Sequence, residues 1–550
     1  MQTAKARHLK SFAIYTMLGV TGVLHAFALA WPFDGASYGQ PIAALQLTSL
    51  AVLAAVLDRS RSVTQAFWRT WAFASAWLLA TFWWLFISMH IYGEMHAVLA
   101  ATAVALLGVA LGAYYALAGA IYRRWCQQGQ SVFARALSFG ALWMLAELLR
   151  GNLFTGFPWG AIGYAHVDSP LRHWLPWVGV YGLSAMLAFA CMLVAAKRAE
   201  HIEKPSNFLW LVRAVLLIGL AYTWWTANTQ NPAANQDASP RALKVALVQG
   251  NVPQDLKFGT AVPQAIADYR KALLANSADF MALPETALPV LAENLPENFW
   301  GELKQHFSSH QQLALIGMPM RESGPNSQGL LTNSAMALMP SANAPSGSAP
   351  NTNAPTYRYD KHHLVPFGEF VPPMFGWFVD WMRIPLGSFG RGGLGQPLLE
   401  FKGERIATNI CYEDLFGEEL AQNFSKSENS PTLMINLSNI AWFGNTVAIE
   451  QHLHISRVRA MELGRPMLRA TNTGATAIID AQGVVTHRLA SGVKGVLIGE
   501  VKGVHGALTP YTQWVSKFGL APLWILGMAI VLVVATLAYR ARHGRRRFGP

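Results

Sequence analysis

Eight stretches of this chain are apolar over the length that crosses a bilayer: 11–31, 41–57, 71–90, 96–121, 132–149, 174–196, 207–226 and 519–539. A hydrocarbon core about 30 Å thick takes roughly 20 apolar residues in a helix. A backbone inside it must satisfy its own hydrogen bonds, so the runs predict helices. The composition agrees: 52% of the 550 residues are hydrophobic and 13% charged, too apolar for a soluble chain of this size. The first run imitates a signal peptide, with Lys5, Arg7 and Lys10 before it and "ALA" at 28–30. Its apolar core of about 20 residues exceeds the roughly 7–15 of a signal segment, so it is read as a span.

Basic residues mark every second junction: Lys5, Arg7 and Lys10; Arg59 and Arg61; Arg123 and Arg124; Lys197, Arg198 and Lys204; and the tail "YRARHGRRR". The loops at 32–40 and 91–95 contain no Lys or Arg. Positive charge stays on the cytoplasmic side, so this alternation predicts cytoplasmic termini and an even number of spans, which eight satisfies. The chain then divides into a membrane domain with seven helices (1–226), an outer domain (227–518), and a last span with a basic tail (519–550). Residues 228–518 carry 22 Lys and Arg against 23 Asp and Glu, the remainder 20 against 7. The formal charge of +12 thus belongs to the membrane part. No clustered basic face suggests nucleic acid. Glu147 and Arg150, at the outer end of the fifth run, lead into "GNLFTGFPWG". They read as an ion pair capping a helix, or as an aromatic-lined entry for lipid headgroups.

The outer domain reads as α/β. Short apolar strands bounded by turn residues are predicted at 243–251, 279–285, 313–319, 405–413, 432–439 and 475–483, with helices at 263–276 and 447–464. The segment 340–356, "PSANAPSGSAPNTNAPT", has too little apolar content to join a core and reads as a surface insertion.

Three cysteines fall at 126, 191 and 411, one in a basic loop and one inside an apolar run, so no disulfide framework is expected. The histidine groups "KHH" (361–363) and "QHLHISR" (451–457) lack an accompanying acidic or thiolate set, so neither metal nor cofactor is expected. Three stations carry chemistry at or beyond strand ends: Glu285 in "LPETALP", Lys361 with Glu369 in "YDKHHLVPFGEFVP", and Cys411 with Tyr412 and Glu413 in "NICYEDLFG". A thiol with a free pKa near 8.5 needs a base to become a nucleophile. A carboxylate serves only if a dry pocket or a like charge raises its pKa. An ammonium stabilises the oxyanion of acyl transfer. Glu, Lys and Cys thus make a base, a stabiliser and a nucleophile, although singly each residue is commonplace.

Their order and local contexts resemble the nitrilase (carbon–nitrogen hydrolase) superfamily. "ALVQGNVPQDLKF", "KHHLVPFGEFVP", "ICYED", "SNIAWFG", "RAMELGRP", "RATNTG" and "LTPY", with seven spans before and one after, resemble the apolipoprotein N-acyltransferase family over essentially the whole chain. "RGNLFTGFPWG" is similar to that family as well. The resemblance implies a periplasmic αββα nitrilase-like domain on an eight-helix bundle in the bacterial inner membrane. It also implies the last step of lipoprotein maturation. Cys411 would take an acyl group from a phospholipid, typically phosphatidylethanolamine, and pass it from the thioester to the α-amine of a diacylglyceryl-cysteine on an apolipoprotein. Glu285 would be the base and Lys361 the oxyanion stabiliser. Glu369 and Glu413 would orient Lys361 and the site, Tyr412 would line it, and Trp442 would sit on a mobile loop near the acyl chain. Phe258 stands where the family tends to have Trp, and Ile440 where Asp is usual.

Independently of the family, a nucleophile that draws on bilayer lipid must be held at the leaflet, and water must be kept from its thioester. Phe367, Phe370, Trp377, Phe378, Trp381 and Phe389 suit either that exclusion or a patch resting on the bilayer. A membrane-tethered amidase acting on a small amide would use the same three residues, but the spans and "GFPWG" argue against it. A transporter or scaffold with a dead domain would be expected to have lost one of the three. Nothing suggests a further interface, so a monomer is expected.

Overall fold

The structure is a computed structural model that describes residues 2–127, 130–196, 238–257, 259, 261–322, 329–340, 357–372, 376, 389–425 and 427–547. The chain forms two compact units, Met1–Phe86 with His96–Asn231 and Leu520–Pro550, and Ile87–Met95 with Pro232–Gly519. The apolar run at 207–226, all but the first residue of the insertion at 340–356, and the aromatic residues Trp377, Phe378 and Trp381 lie outside the described residues.

The first unit is helical. Among the described residues, four helices are long and apolar enough to cross a membrane: Ala97–Cys126, Val132–Thr155, Pro170–Ala195 and Ala521–Ala541. A fifth is added if Val63–Phe82 and its bent continuation Leu85–Tyr92 are one span, and Ala43–Asp58 is a shorter apolar helix. The apolar run at 11–31 begins within a helix, Gln2–Phe27. Glu147 and Arg150 are both buried and tie down the "GFPWG" loop. Glu147 accepts from Trp143 Nε1 (3.1 Å) and the Ile162 N–H (3.0 Å). Arg150 donates to the Phe157 carbonyl (2.6 Å), the Trp159 carbonyl (2.5 Å) and Tyr115 Oη (3.1 Å). Away from water, irregular backbone persists only where such partners satisfy it.

The second unit is a sandwich of two sheets. In chain order the strands are β1 Leu243–Gln249, β2 Phe280–Ala282, β3 Leu313–Arg321, β4 Leu331–Leu338, β5 Tyr357–Asp360, β6 Phe389–Gly390, β7 Leu399–Phe401, β8 Glu404–Ile410, β9 Leu433–Ser438, β10 Met467–Thr471, β11 Ala477–Ile479, β12 Val485–Arg488 and β13 Gly495–Val501. One sheet runs β13-β1-β2-β3-β4-β5, with β6 on β4, and the other β12-β11-β10-β9-β8-β7. Side chains alternate along a strand, and β1 uses both faces. Leu243, Val245 and Leu247 meet Ile406, Leu433, Ile435 and Leu468 between the sheets. Ala246 and Val248 pack outward on Ile266, Tyr269, Leu303 and Phe307 of the helices Val262–Ala275 and Phe299–Ser309. A wholly buried helix, Ala448–Leu463, accompanies the second sheet.

That buried helix is polar, and a network satisfies it. Asp414, just past β8, accepts from His452 Nε2 (2.8 Å), Arg469 Nη1 (3.0 Å) and Ser456 Oγ. All four residues are buried. Burying charge is tolerable only when it is paired and hydrogen-bonded. Removing the carboxylate in Asp414→Ala strands the Arg469 guanidinium and should cost about 3–5 kcal/mol. Thermal unfolding of the purified protein should show the midpoint falling by several degrees; an unchanged midpoint would assign the network no structural weight.

Candidate active site

The chemistry-bearing residues sit where strands end. Leu283 donates its N–H to the Leu315 carbonyl (2.9 Å) and Leu288 to that of Gly317 (3.2 Å), so the turn holding Glu285 lies on β3. A Cβ on Gly317 would stand 2.3 Å from the Pro284 carbonyl and 2.9 Å from Glu285 Cα, an approach only glycine permits. Lys361 directly follows β5; its N–H donates to the Asn333 carbonyl (2.8 Å), and its own carbonyl accepts from Gly392 (2.9 Å). Cys411 directly follows β8 with φ +53°, the left-handed region. For a residue with a Cβ that backbone costs about 1–3 kcal/mol and persists only where surroundings enforce it.

These three termini converge. Lys361 Nζ donates to Glu285 Oε1 (3.1 Å) and Glu369 Oε1 (3.0 Å). Asn333 Nδ2 donates to the same two oxygens, 2.7 Å each. Glu285 Oε2 accepts the Asn439 N–H (2.8 Å), and Glu369 Oε2 the Val365 N–H (2.8 Å). Burial pushes Glu285 up, but Lys361, Lys257 and Asn333 outweigh it and hold the carboxyl below its ordinary range. Burial likewise opposes the charge on Lys361, and Glu285 and Glu369 more than restore it, raising its pKa. Burial of the sulfur and the Glu285 charge push the Cys411 thiol up to about 12, against the pull of Lys361, Ser438 and the Asn439 backbone.

The sequence reading asks for a raised carboxylate; the ion pair reverses that expectation. The resting site holds an ionised Glu285 and a neutral thiol.

Glu413 stands apart from this group and fastens its frame. Its carboxylate accepts from Ile410 N (2.6 Å), His362 N (2.7 Å), His363 N (3.2 Å) and Tyr359 Oη (2.9 Å). It thereby joins the Lys361 loop to the Cys411 turn. Burial lifts it to about 7, against those N–H groups and Lys361. Tyr412 is buried, its ring 5.3 Å from Phe416 and 5.6 Å from His363. Trp442 is 39% exposed, edge-on to Tyr92 with centroids 5.9 Å apart. Ile440 is buried, which suits an apolar residue there. Phe258 lies outside the described residues. Sequence reasoning missed Asn333, Asn439 and Lys257. Lys257 lies in "ALVQGNVPQDLKF" and Asn439 in "SNIAWFG", motifs that carry the resemblance without singling out either residue, and nothing near Asn333 marks it.

The second unit is a carbon–nitrogen hydrolase domain: residues 244–509 match that family's model, and residues 21–193 match the N-terminal domain of apolipoprotein N-acyltransferase. The apolipoprotein N-acyltransferase of Verminephrobacter eiseniae is 47% identical over 517 residues, covering 91% of this chain and 92% of its own. That of Ralstonia nicotianae is 40% identical over 539 residues, 96% and 94% of the two chains. The chain belongs to the apolipoprotein N-acyltransferase family.

Gly317→Ala should move the backbone under Glu285 without touching a reacting group. A misplacement near 1 Å costs on the order of 10²-fold in rate, so thioester formation should slow by at least about tenfold while circular dichroism stays unchanged. A wild-type rate would show that the close approach is not needed to place the carboxylate.

Proposed function

We propose that this protein is a membrane acyltransferase that N-acylates the diacylglyceryl-cysteine at the start of apolipoproteins, through a thioester on Cys411. The observation that carries the residue assignment is the buried Glu285–Lys361–Glu369 group, whose charges act on the Cys411 thiol. Glu285 takes the proton from Sγ as sulfur adds to the ester carbonyl carbon of a phospholipid, phosphatidylethanolamine being the expected donor. The carbonyl π electrons move to oxygen, and the Lys361 ammonium offsets that charge. Collapse breaks the acyl C–O bond, and the proton on Glu285 passes to the departing oxygen, leaving a lysophospholipid. The α-amine of the acceptor then attacks the thioester. Its proton travels through Glu285 to the leaving sulfur, giving an amide and the free thiol.

Glu369 keeps Lys361 charged and aimed, Glu413 holds the loops that carry Lys361 and Cys411, and Tyr412 lines the site. Trp442 lies near the acyl chain, and Phe258 contributes an aromatic side chain to substrate binding. We place residues 227–518 in the periplasm between a seven-helix membrane domain (1–226) and the last span with its tail (519–550), giving eight spans and cytoplasmic termini. The alternating basic loops support that orientation. The protein acts as a monomer.

The test is mass analysis after incubating the full-length protein with phosphatidylethanolamine and a diacylated peptide. A fatty-acyl mass on Cys411 and an amide-linked product are expected. Cys411→Ala and Glu285→Gln should both abolish the acyl-enzyme. Lys361→Arg should fail too, because a planar, larger cation does not replace a compact ammonium. An acylated Glu285→Gln would move the base elsewhere, and activity in Cys411→Ala would reject the nucleophile.

A further inference from the structure

Only one lysine takes part in the steps above, yet among the described residues two are buried around Glu285. Lys257 lies in the segment that follows β1, and that segment is stitched to the site. Asn251 donates its N–H to the Asn472 carbonyl (2.7 Å), and Val252 to Asn472 Oδ1 (3.0 Å). Gln254 Oε1 accepts from Asn439 Nδ2 (2.8 Å), the residue whose N–H serves Glu285 Oε2. Lys257 is 3% exposed, and its Nζ donates to the main-chain carbonyl of Glu285 at 2.9 Å.

The two ammoniums keep different company. Lys361 bonds to two carboxylates. Lys257 bonds to a neutral carbonyl, and the charges acting on it are those of Glu285, from the turn after β2, and Cys411, from the end of β8. Asp255 on its own segment is exposed. Arg469 also acts on Cys411, but Asp414 pairs with it. Glu413 acts on Lys361. Lys361 and Lys257 set two cations beside the carboxylates of Glu285 and Glu369. Without Lys257 those carboxylates face one ammonium, beside a sulfur that must itself become negative.

We propose that Lys257 is a positioning residue for acylation: it pins the main chain that carries Glu285 and supplies the second positive charge that favours the thiolate of Cys411. This rests on the Glu285–Cys411 reading above. Lys257 stays protonated through the step, and the Sγ proton still goes to Glu285. Burial lowers Lys257 to about 8, against Glu285 and Cys411, so its charge is lost within reach of an ordinary pH series.

The experiment follows iodoacetamide alkylation of Cys411 in the full-length protein in detergent micelles, from about pH 6 to about pH 9, by peptide mass spectrometry. This readout needs no lipid substrate. An adjacent opposite charge moves a pKa by about one unit or more, so Lys257→Met should slow alkylation near pH 7 about tenfold. Lys257→Arg should remain within about threefold of wild type. The wild-type rate should level off above about pH 8 as Lys257 loses its proton, whereas in Lys257→Arg it should go on rising. Wild-type behaviour in Lys257→Met would overturn the proposal. So would an equal loss in both variants with an unmoved pH profile, the mark of a packing role alone. Absence of an acyl mass on wild-type Cys411 with phosphatidylethanolamine would overturn the acylation reading instead, while alkylation still reports on Lys257.

Discussion

A buried ammonium between two carboxylates is the constraint on which the catalytic unit depends. An isolated charge of either sign is too costly inside a protein, and breaking such a group leaves its remainder uncompensated. Lys361, Glu285 and Glu369 therefore have to arrive together. They come from the turn after β2 and the loop after β5, which nothing in the chain order makes neighbours. Asn333 on β4 is the joint: its amide bonds both carboxylates while its main-chain carbonyl takes the Lys361 N–H. Glu413 does the same for the loops around Lys361 and Cys411, through main-chain donors on each.

The same electrostatics shape the Cys411 thiol, the proposed nucleophile. Cations stabilise the carboxylate more than burial destabilises it, while burial and that carboxylate together hold the thiol neutral. A resting site of this kind does not store a thiolate. It keeps Glu285 ionised, a proton on the Cys411 sulfur and the Lys361 ammonium beside them, and in the proposed mechanism that field favours the moment of attack over the state before it. The left-handed backbone at Cys411 belongs to this arrangement. The tight turn from β8 into the segment Cys411–Leu415 puts the thiol at the strand end while Asp414, three residues on, is locked into the buried helix.

Much of the scaffold was legible because its signals are local. β1, β3 and β9 and the helices Val262–Ala275 and Ala448–Leu463 follow from apolar runs and their period within a residue or two, whereas β8 stops at Ile410, three residues short of the predicted 413, where the chain turns at Cys411. β4 was not, since "LTNSAMAL" mixes small and polar residues: Asn333 bonds the buried carboxylates, while Thr332 and Ser334 bond Asp360. β13 is glycine-interrupted and becomes a strand only by pairing with β1 from the far end of the domain. The helix Ala448–Leu463 lies within a residue of its predicted bounds, but its burial is not legible from its Glu, His and Arg residues: every residue of it is buried, because Asp414 and Arg469 meet it from elsewhere.

The sequence by itself determined that the chain is rich in apolar spans, that an α/β segment is set among them, and that Glu285, Lys361 and Cys411 close their motifs at strand ends. Each of these depends on composition or spacing within a short stretch, where propensity and burial act directly. Only the tertiary structure decided the sign of the Glu285 shift, the bridging part of Asn333, and the presence of a second buried ammonium at Lys257. A pKa and a buried charge are set by what stands within a few ångströms in space, and those neighbours lie tens to hundreds of residues away along the chain.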